Sequence, residues 1–128
     1  MTSLLKYTRR PDVSFYPNGR IDITSRIAKQ LSLNDGDVID VFSHKGEYML
    51  YVRHKKENIV GAYEATVHAT KKYKIAAYNM RAYSIRLTHA LFTQTCHENT
   101  EPLRLPAGSP VNLEGIGIAI PLITRNPL

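Results

Sequence analysis

The chain has 128 residues and a formal net charge of +6, with 17 lysines and arginines against 11 aspartates and glutamates. This length suits one compact domain and leaves little room for two independent cores. The basic balance raises the expectation of a polyanionic partner, most often nucleic acid. No apolar run approaches the roughly 20 residues of a membrane helix, and one cysteine excludes an internal disulfide, which fits a reducing cytoplasm.

The chain divides into four segments on composition and pattern. They are a basic N-terminal arm (1–12), a first structural unit (13–56), a connector that contains strands (57–81) and a second unit (82–128) packed with the first as one domain. In the arm, Arg9 and Arg10 precede a proline, which favours an extended, solvated backbone. The arm either becomes ordered on DNA or remains a solvated tail.

Alternating apolar and polar residues predict strands at the start of the first unit. A strand over "VSFY" leads through the turn "PNG" to "RIDIT", whose two isoleucines share one face. A short helix follows, capped by either Thr24 or Ser25, with Ile27 and Leu31 four residues apart on its core side. A helix of about seven residues is too short to be stable alone, so it must pack against a sheet.

Turn and strand patterns continue beyond the helix. "NDGD" places Gly36 where a left-handed backbone is needed, and the turn "SHKGE" joins the strands "VIDVF" and "EYMLYVRH". The alternation in "YEATVHAT" predicts another strand. The stretch "KKYKIAAYNMRAYSIRLT" predicts a turn and a strand that ends in "AYSIRL".

The second half of the chain resembles the first. "SIRLTHALFTQT" aligns with "RIDITSRIAKQL", and the match resumes after "HENTEP". The aligned pairs are Ile21–Ile85, Ile23–Leu87, Thr24–Thr88, Ile27–Leu91, Leu33–Leu105, Gly36–Gly108, Ile39–Val111 and Val41–Leu113. The alternative is chance similarity between common patterns. Two such units can cover each other's strand edges, which predicts a mainly β fold: a small closed β-barrel of two pseudo-repeated strand-helix-turn-strand units with short helices.

The first unit resembles the AbrB/MazE-type (SpoVT-AbrB-like) swapped-hairpin barrels over about residues 13–54. The signature of that family runs G-R-I-x-I-P-x-x-I-x-x-x-L-x-L-x-x-G-D-x-V-x-V. Its positions are matched in register by Gly19, Arg20, Ile21, Ile23, Ile27, Leu31, Leu33, Gly36, Asp37, Ile39 and Val41. Thr24 replaces the expected proline and Ser32 departs from the usual small residue, which suggests a distant branch.

The resemblance implies a barrel that binds DNA, with basic residues of the first strand on phosphates and groove edges. Arg20 matches such a position, and Arg26 and Lys29 on the adjacent helix are weaker candidates. In the family, two chains each contribute one unit to a dimeric barrel. If the second unit completes the barrel within the chain, this reason for dimerisation weakens, and the alternatives are a pseudo-dimeric monomer and a homodimer of such pseudo-dimers.

A basic, tyrosine-rich stretch spans the end of the connector and the start of the second unit. Its cations can neutralise phosphates while its tyrosines stack on bases; alternatively the tyrosines fill a sheet face and the cations are solvated. The basic residues of this stretch are Lys71, Lys72, Lys74, Arg81 and Arg86. We add them, with Arg9 and Arg10, to the candidate DNA-binding residues.

No residue pattern indicates catalysis or a metal site. Cys96, His97 and Glu98 are adjacent, and adjacent side chains rarely converge on one ion. "GIGIAI" lacks the third glycine of a nucleotide-binding loop. We therefore expect a cytoplasmic, sequence-specific DNA-binding protein with no cofactor and no enzymatic activity, either a transcriptional regulator or an antitoxin with a toxin partner. The alternative is a protein-interaction or assembly module on the same barrel.

Overall fold

A computed structural model describes residues 11–53, 65–69 and 78–124, with only the backbone described at 78 and 79. The elements of these ranges, in chain order, are β1 (Val13–Phe15), β2 (Arg20–Thr24), α1 (Ser25–Gln30), β3 (Val38–His44), β4 (Glu47–Arg53), β5 (Ala65–Thr66), β6 (His68–Ala69), β7 (Tyr78–Tyr83), α2 (Ile85–Gln94), β8 (Leu103–Leu105), β9 (Val111–Leu113) and β10 (Gly117–Leu122). None of the helices described here is long and apolar enough to cross a membrane.

The described strands form two antiparallel sheets. Sheet A has the order β6-β7-β2-β1-β8, and sheet B has the order β5-β3-β4-β10-β9. Both sheets join strands from opposite ends of the chain, because β1 pairs with β8 and β4 pairs with β10. The predicted mainly β fold is confirmed. Within the described residues, however, neither sheet closes on itself as the predicted barrel requires.

The segment that comprises β5 and β6 passes from one sheet to the other. Ala65 pairs with Ile39 of β3 in sheet B, and three residues later His68 pairs with Arg81 of β7 in sheet A. Val67, between the two strands, is completely buried. This segment therefore hydrogen-bonds to both sheets at one side of the core.

A second segment passes between the sheets after β8. Ala107 forms an isolated bridge with Leu122 of β10, and the Gly108 N–H donates to the Pro121 carbonyl at 2.8 Å. The buried Asp12 carboxylate accepts the Ala107 N–H at 2.7 Å. The chain after β8, which pairs with β1 in sheet A, is thereby attached to sheet B as well.

The local predictions for β1, β2, α1 and the hairpin of β3 and β4 are confirmed. At the "PNG" turn, Gly19 has a φ of +95°, and a Cβ atom there would lie 2.8 Å from Cγ1 of Ile85. Glycine is therefore required both by the backbone and by the close approach of α2. The side-chain cap predicted for α1 is wrong, because Thr24 occupies the N-cap position but its hydroxyl makes no capping hydrogen bond.

The predicted strand through "AYSIRL" is wrong in its last residues. The strand ends at Tyr83, and Ile85 begins α2. The Ser84 hydroxyl accepts the Leu87 N–H at 3.1 Å and so caps this helix. The alignment of Ile85 and Leu87 with the strand isoleucines of β2 is therefore wrong, because both residues lie on a helix.

The core lies between the two sheets and under the helices. Ile27 of α1 and Leu91 and Phe92 of α2 belong to the same buried cluster as the inward residues of both sheets. Its fully buried large side chains include Phe15, Ile21, Ile23, Ile39, Leu50, Leu103, Leu105 and Ile120. Burial of this cluster explains why a six-residue helix such as α1 is stable in this context.

Candidate nucleic-acid interface

The outer face of sheet A is set by the alternation of its strands. In β2, Ile21 and Ile23 point into the core, so Arg20 and Asp22 point to the other side. Residues that pair directly across a sheet share a face, and one such row crosses every strand of sheet A. The row is His68, Arg81, Asp22, Ser14 and Arg104, in that order.

Asp22 holds two arginines of this face. Its Oδ1 accepts a hydrogen bond from Arg81 Nε at 2.7 Å, and its Oδ2 lies 3.4 Å from Arg20 Nε. The Asp22 side chain is 6% exposed, whereas Arg81 and Arg20 are 34% and 31% exposed. The hydrogen bond to Asp22 is the main cause that raises the pKa of Arg81, against the lowering effect of burial. The carboxylate thus fixes the Arg81 guanidinium through a hydrogen bond and forms an ion pair with Arg20, and both arginines remain partly in solvent.

Aromatic rings flank Arg20. The guanidinium carbon of Arg20 lies 3.8 Å from the ring centroid of Tyr16, within the range of a cation–π contact. Tyr83 pairs across the ladder with Arg20, and it is 57% exposed. The Arg20 N–H donates to Oδ1 of Asn18 at 3.0 Å, which fixes the turn just before the strand. Arg20 therefore packs on Tyr16 and has the exposed Tyr83 opposite it on the neighbouring strand.

Charge on this face is predominantly positive among the described residues. Arg20, Arg81 and Arg104 stand against Asp22, and Arg104 is exposed. At the edge of the row, His68 Nδ1 lies 3.7 Å from Asp35 Oδ1. Arginine forks suit phosphate oxygens and base edges, and exposed tyrosines add stacking surfaces. The arrangement can bind a polyanion.

Sequence reasoning missed Arg104, Tyr16 and His68 as members of this face. The alternation "LRL" at 103–105, with two buried leucines around an exposed arginine, was a signal for a strand there. Nothing local indicated that this strand pairs with β1, so the place of Arg104 opposite Ser14 was not predictable from spacing alone.

Other predicted cations lie on the helices. Arg26 of α1 is 52% exposed, and its Nη2 lies 2.7 Å from Oδ1 of Asp12. Lys29 is exposed in the last turn of α1, and Arg86 is exposed in the first turn of α2. Among the members of the predicted set that the structure describes, Arg20 and Arg81 are brought together on the outer face of sheet A.

The remaining predicted cations lie outside the described residues. They are Arg9, Arg10, Lys71, Lys72 and Lys74. In the ranges that the structure describes, no three histidine, cysteine or acidic side chains are placed to hold a metal ion. The chain matches no protein-family model, no curated protein and no solved structure.

Proposed function

We propose that this protein binds DNA through the outer face of sheet A, as a transcriptional regulator or the antitoxin of a toxin pair, and that it is not an enzyme. The observation that carries the proposal is the cluster of Arg20 and Arg81 around buried Asp22, with Arg104 in the same row. Guanidinium groups fixed on paired strands lose little side-chain entropy when they contact phosphates.

The proposal includes a fold of the swapped-hairpin type, closed into one barrel. Two observations support closure: β5 and β6 pair with sheets B and A in turn, and the chain after β8 does the same in the opposite direction. The AbrB/MazE-type signature supports the family, because its Gly19 and Arg20 lie at the turn and first residue of β2, next to the cationic face.

Arg20 is the residue through which we test the proposal. Its side chain is partly exposed, and Asp22 keeps its hydrogen bond to Arg81 when Arg20 is removed. Arg20→Ala should therefore leave the fold intact and weaken duplex binding. Fluorescence anisotropy with a labelled duplex at two salt concentrations measures the effect, and the salt slope should fall by about one ion.

Arg53→Ala is the matched control. Arg53 is also 31% exposed and also pairs with an aspartate, Asp40 at 2.9 Å, but it lies in sheet B. We expect its duplex affinity to equal that of the parent protein. Absence of any duplex binding by the parent protein at low salt contradicts the proposal, and so does an equal loss in both variants.

A protein-interaction or assembly module is the second candidate. The observation that favours it is the hairpin of β9 and β10, where Val111, Ile116 and Ile118 are 39%, 41% and 42% exposed. Val111 pairs with Ala119 and therefore lies on the opposite face from Ile118, so each face of the hairpin offers an exposed apolar side chain to a partner protein. Binding of a protein partner that is insensitive to salt, with no duplex affinity, would select this candidate over the first.

A further inference from the structure

The two halves of the chain occupy corresponding places in the fold. In sheet A, β2 and β7 are antiparallel neighbours, and each is followed at once by a helix, α1 or α2. In sheet B, β4 and β10 are antiparallel neighbours, and each is the second strand of a hairpin. An axis of two-fold symmetry perpendicular to the sheets produces this arrangement, as in the contact of a symmetric dimer.

Strand pairing locates this axis in sheet A. On the far side of β2, Ser14 pairs with Asp22, and on the far side of β7, His68 pairs with Arg81. The order along the row is therefore flanking strand, central strand, central strand, flanking strand. The axis therefore crosses sheet A between β2 and β7, near the paired residues Asp22 and Arg81.

Sheet B gives an independent position for the same axis. Leu50 stands three residues after Glu47, which closes the first hairpin, and Ile120 stands three residues after Gly117, which closes the second. Leu50 and Ile120 pair with each other, and both are fully buried. Corresponding residues of the two halves thus meet at the centre of sheet B.

The residues at the centre of sheet A are not interchangeable. In a dimer of two copies of the first half, Arg81 would be absent and Asp22 would lose the hydrogen bond that Arg81 donates. Loss of a charge-assisted hydrogen bond at a buried carboxylate destabilises the fold, and Arg20 of the same half would be left as the ion-pair partner of Asp22. In the chain as it stands, Asp22 instead lies opposite Arg81 of the other half. The Asp22–Arg81 pair therefore favours the association of the two different halves of one chain.

The outer face of sheet A is asymmetric because the two halves carry different residues there. Along the row, one side of the axis has the buried residues Asp22 and Ser14, and the other side has Arg81 and His68. Symmetric DNA sites mirror a two-fold axis in the protein that reads them. We infer that the protein is a monomer that binds, one chain per site, a DNA duplex sequence without two-fold symmetry. This inference rests on the proposed function, because it specifies the partner of the same face.

Two measurements on the full chain test the inference. Light scattering should give the mass of one chain, 14.5 kDa, for the free protein. Selection from a library of random duplexes should enrich a motif with no inverted repeat, and sedimentation of the selected duplex with the protein should show one chain per duplex.

The outcomes separate this inference from the proposed function. An enriched inverted repeat with two chains per duplex overturns the inference and leaves DNA binding intact. A free protein with the mass of two chains also overturns it. If no duplex is retained at low salt, both the inference and the proposed function are overturned.

Discussion

Across the central ladder of sheet A, Nε of Arg81 donates a hydrogen bond of 2.7 Å to the buried carboxylate of Asp22. The two residues lie 59 positions apart in sequence, so the contact exists only when both halves of the chain have folded together. The same carboxylate lies 3.4 Å from Nε of Arg20. One acidic side chain thus affects both the stability of the fold and the charge of the proposed DNA-binding face.

Asp22→Asn should change these two properties in opposite directions. The free energy of unfolding should fall by about 1–3 kcal/mol, because a charge-assisted hydrogen bond in a buried position is lost. Duplex affinity at low salt should rise, because one negative charge leaves a cationic face. Thermal denaturation and anisotropy titration of the same preparation measure the two effects.

Asp40→Asn is the control for this prediction. Asp40 pairs with Arg53 at 2.9 Å, but its side chain is 33% exposed and lies in sheet B. Its loss should lower stability by only about 0–1 kcal/mol, as for surface ion pairs, and leave duplex affinity unchanged. A gain in affinity as large as that of Asp22→Asn would show that the effect reflects net charge alone.

Replacing Arg81 by an aspartate should lower the free energy of unfolding, and exchanging Asp22 and Arg81 should restore part of the loss. Arg81→Asp brings two carboxylates opposite each other at the centre of sheet A. The double variant Asp22→Arg with Arg81→Asp recreates an opposite-charge pair, so we expect a favourable coupling energy of about 0.5–3 kcal/mol in a double-mutant cycle. Chemical denaturation measures it, and additive effects of the two substitutions would contradict the pairing.

Gly19→Ala should be more destabilising than Gly46→Ala. Both glycines have positive φ, +95° and +80°, so both variants carry backbone strain of about 1 kcal/mol. A Cβ atom at Gly19 would also lie 2.9 Å from the backbone nitrogen of Ile85, whereas at Gly46 no described atom lies within 4 Å. Denaturation midpoints compare the two variants, and equal losses would mean that α2 moves freely away from the turn.

Ser84→Ala and Thr24→Ala should differ although both residues precede a helix. The Ser84 hydroxyl accepts the Leu87 N–H, and its removal should cost about 1 kcal/mol. Thr24 Oγ1 is buried with no hydrogen-bond partner among the described residues, so its removal relieves an unsatisfied group. We expect Thr24→Ala to be close to neutral in thermal denaturation. A larger loss for Thr24→Ala would contradict this assignment of the caps.

Local signals were sufficient for the first half of the fold. The turn at Gly19, the alternation in β2 and the apolar spacing of Ile27 and Leu31 each depend on neighbours within a few residues, and each was predicted correctly. In the second half, the apolar residues Ile85 and Leu87 lie two positions apart, which is the spacing of a strand. Ser84 caps a helix that begins at Ile85, and the strand-like spacing of its apolar residues explains the wrong alignment.

The candidate site was only partly predictable for a different reason. Arg20 and Arg81 were identified from their charge and from strand patterns, but their common contact with Asp22 depends on the pairing of β2 with β7. Arg104 enters the same face only through β8, which pairs with β1. Alternation within a strand determines which way a side chain points, whereas the identity of its neighbours follows from long-range pairing.

The pairing of β1 with β8 has a consequence for synthesis of the protein. Val13, near the start of the chain, pairs with Leu105, so sheet A lacks an outer strand until most of the polypeptide has left the ribosome. Nascent chains of intermediate length therefore expose the edge of β1 and its apolar face. We expect folding to be completed late in translation, or after release, and to be slower than for a helical protein of equal length.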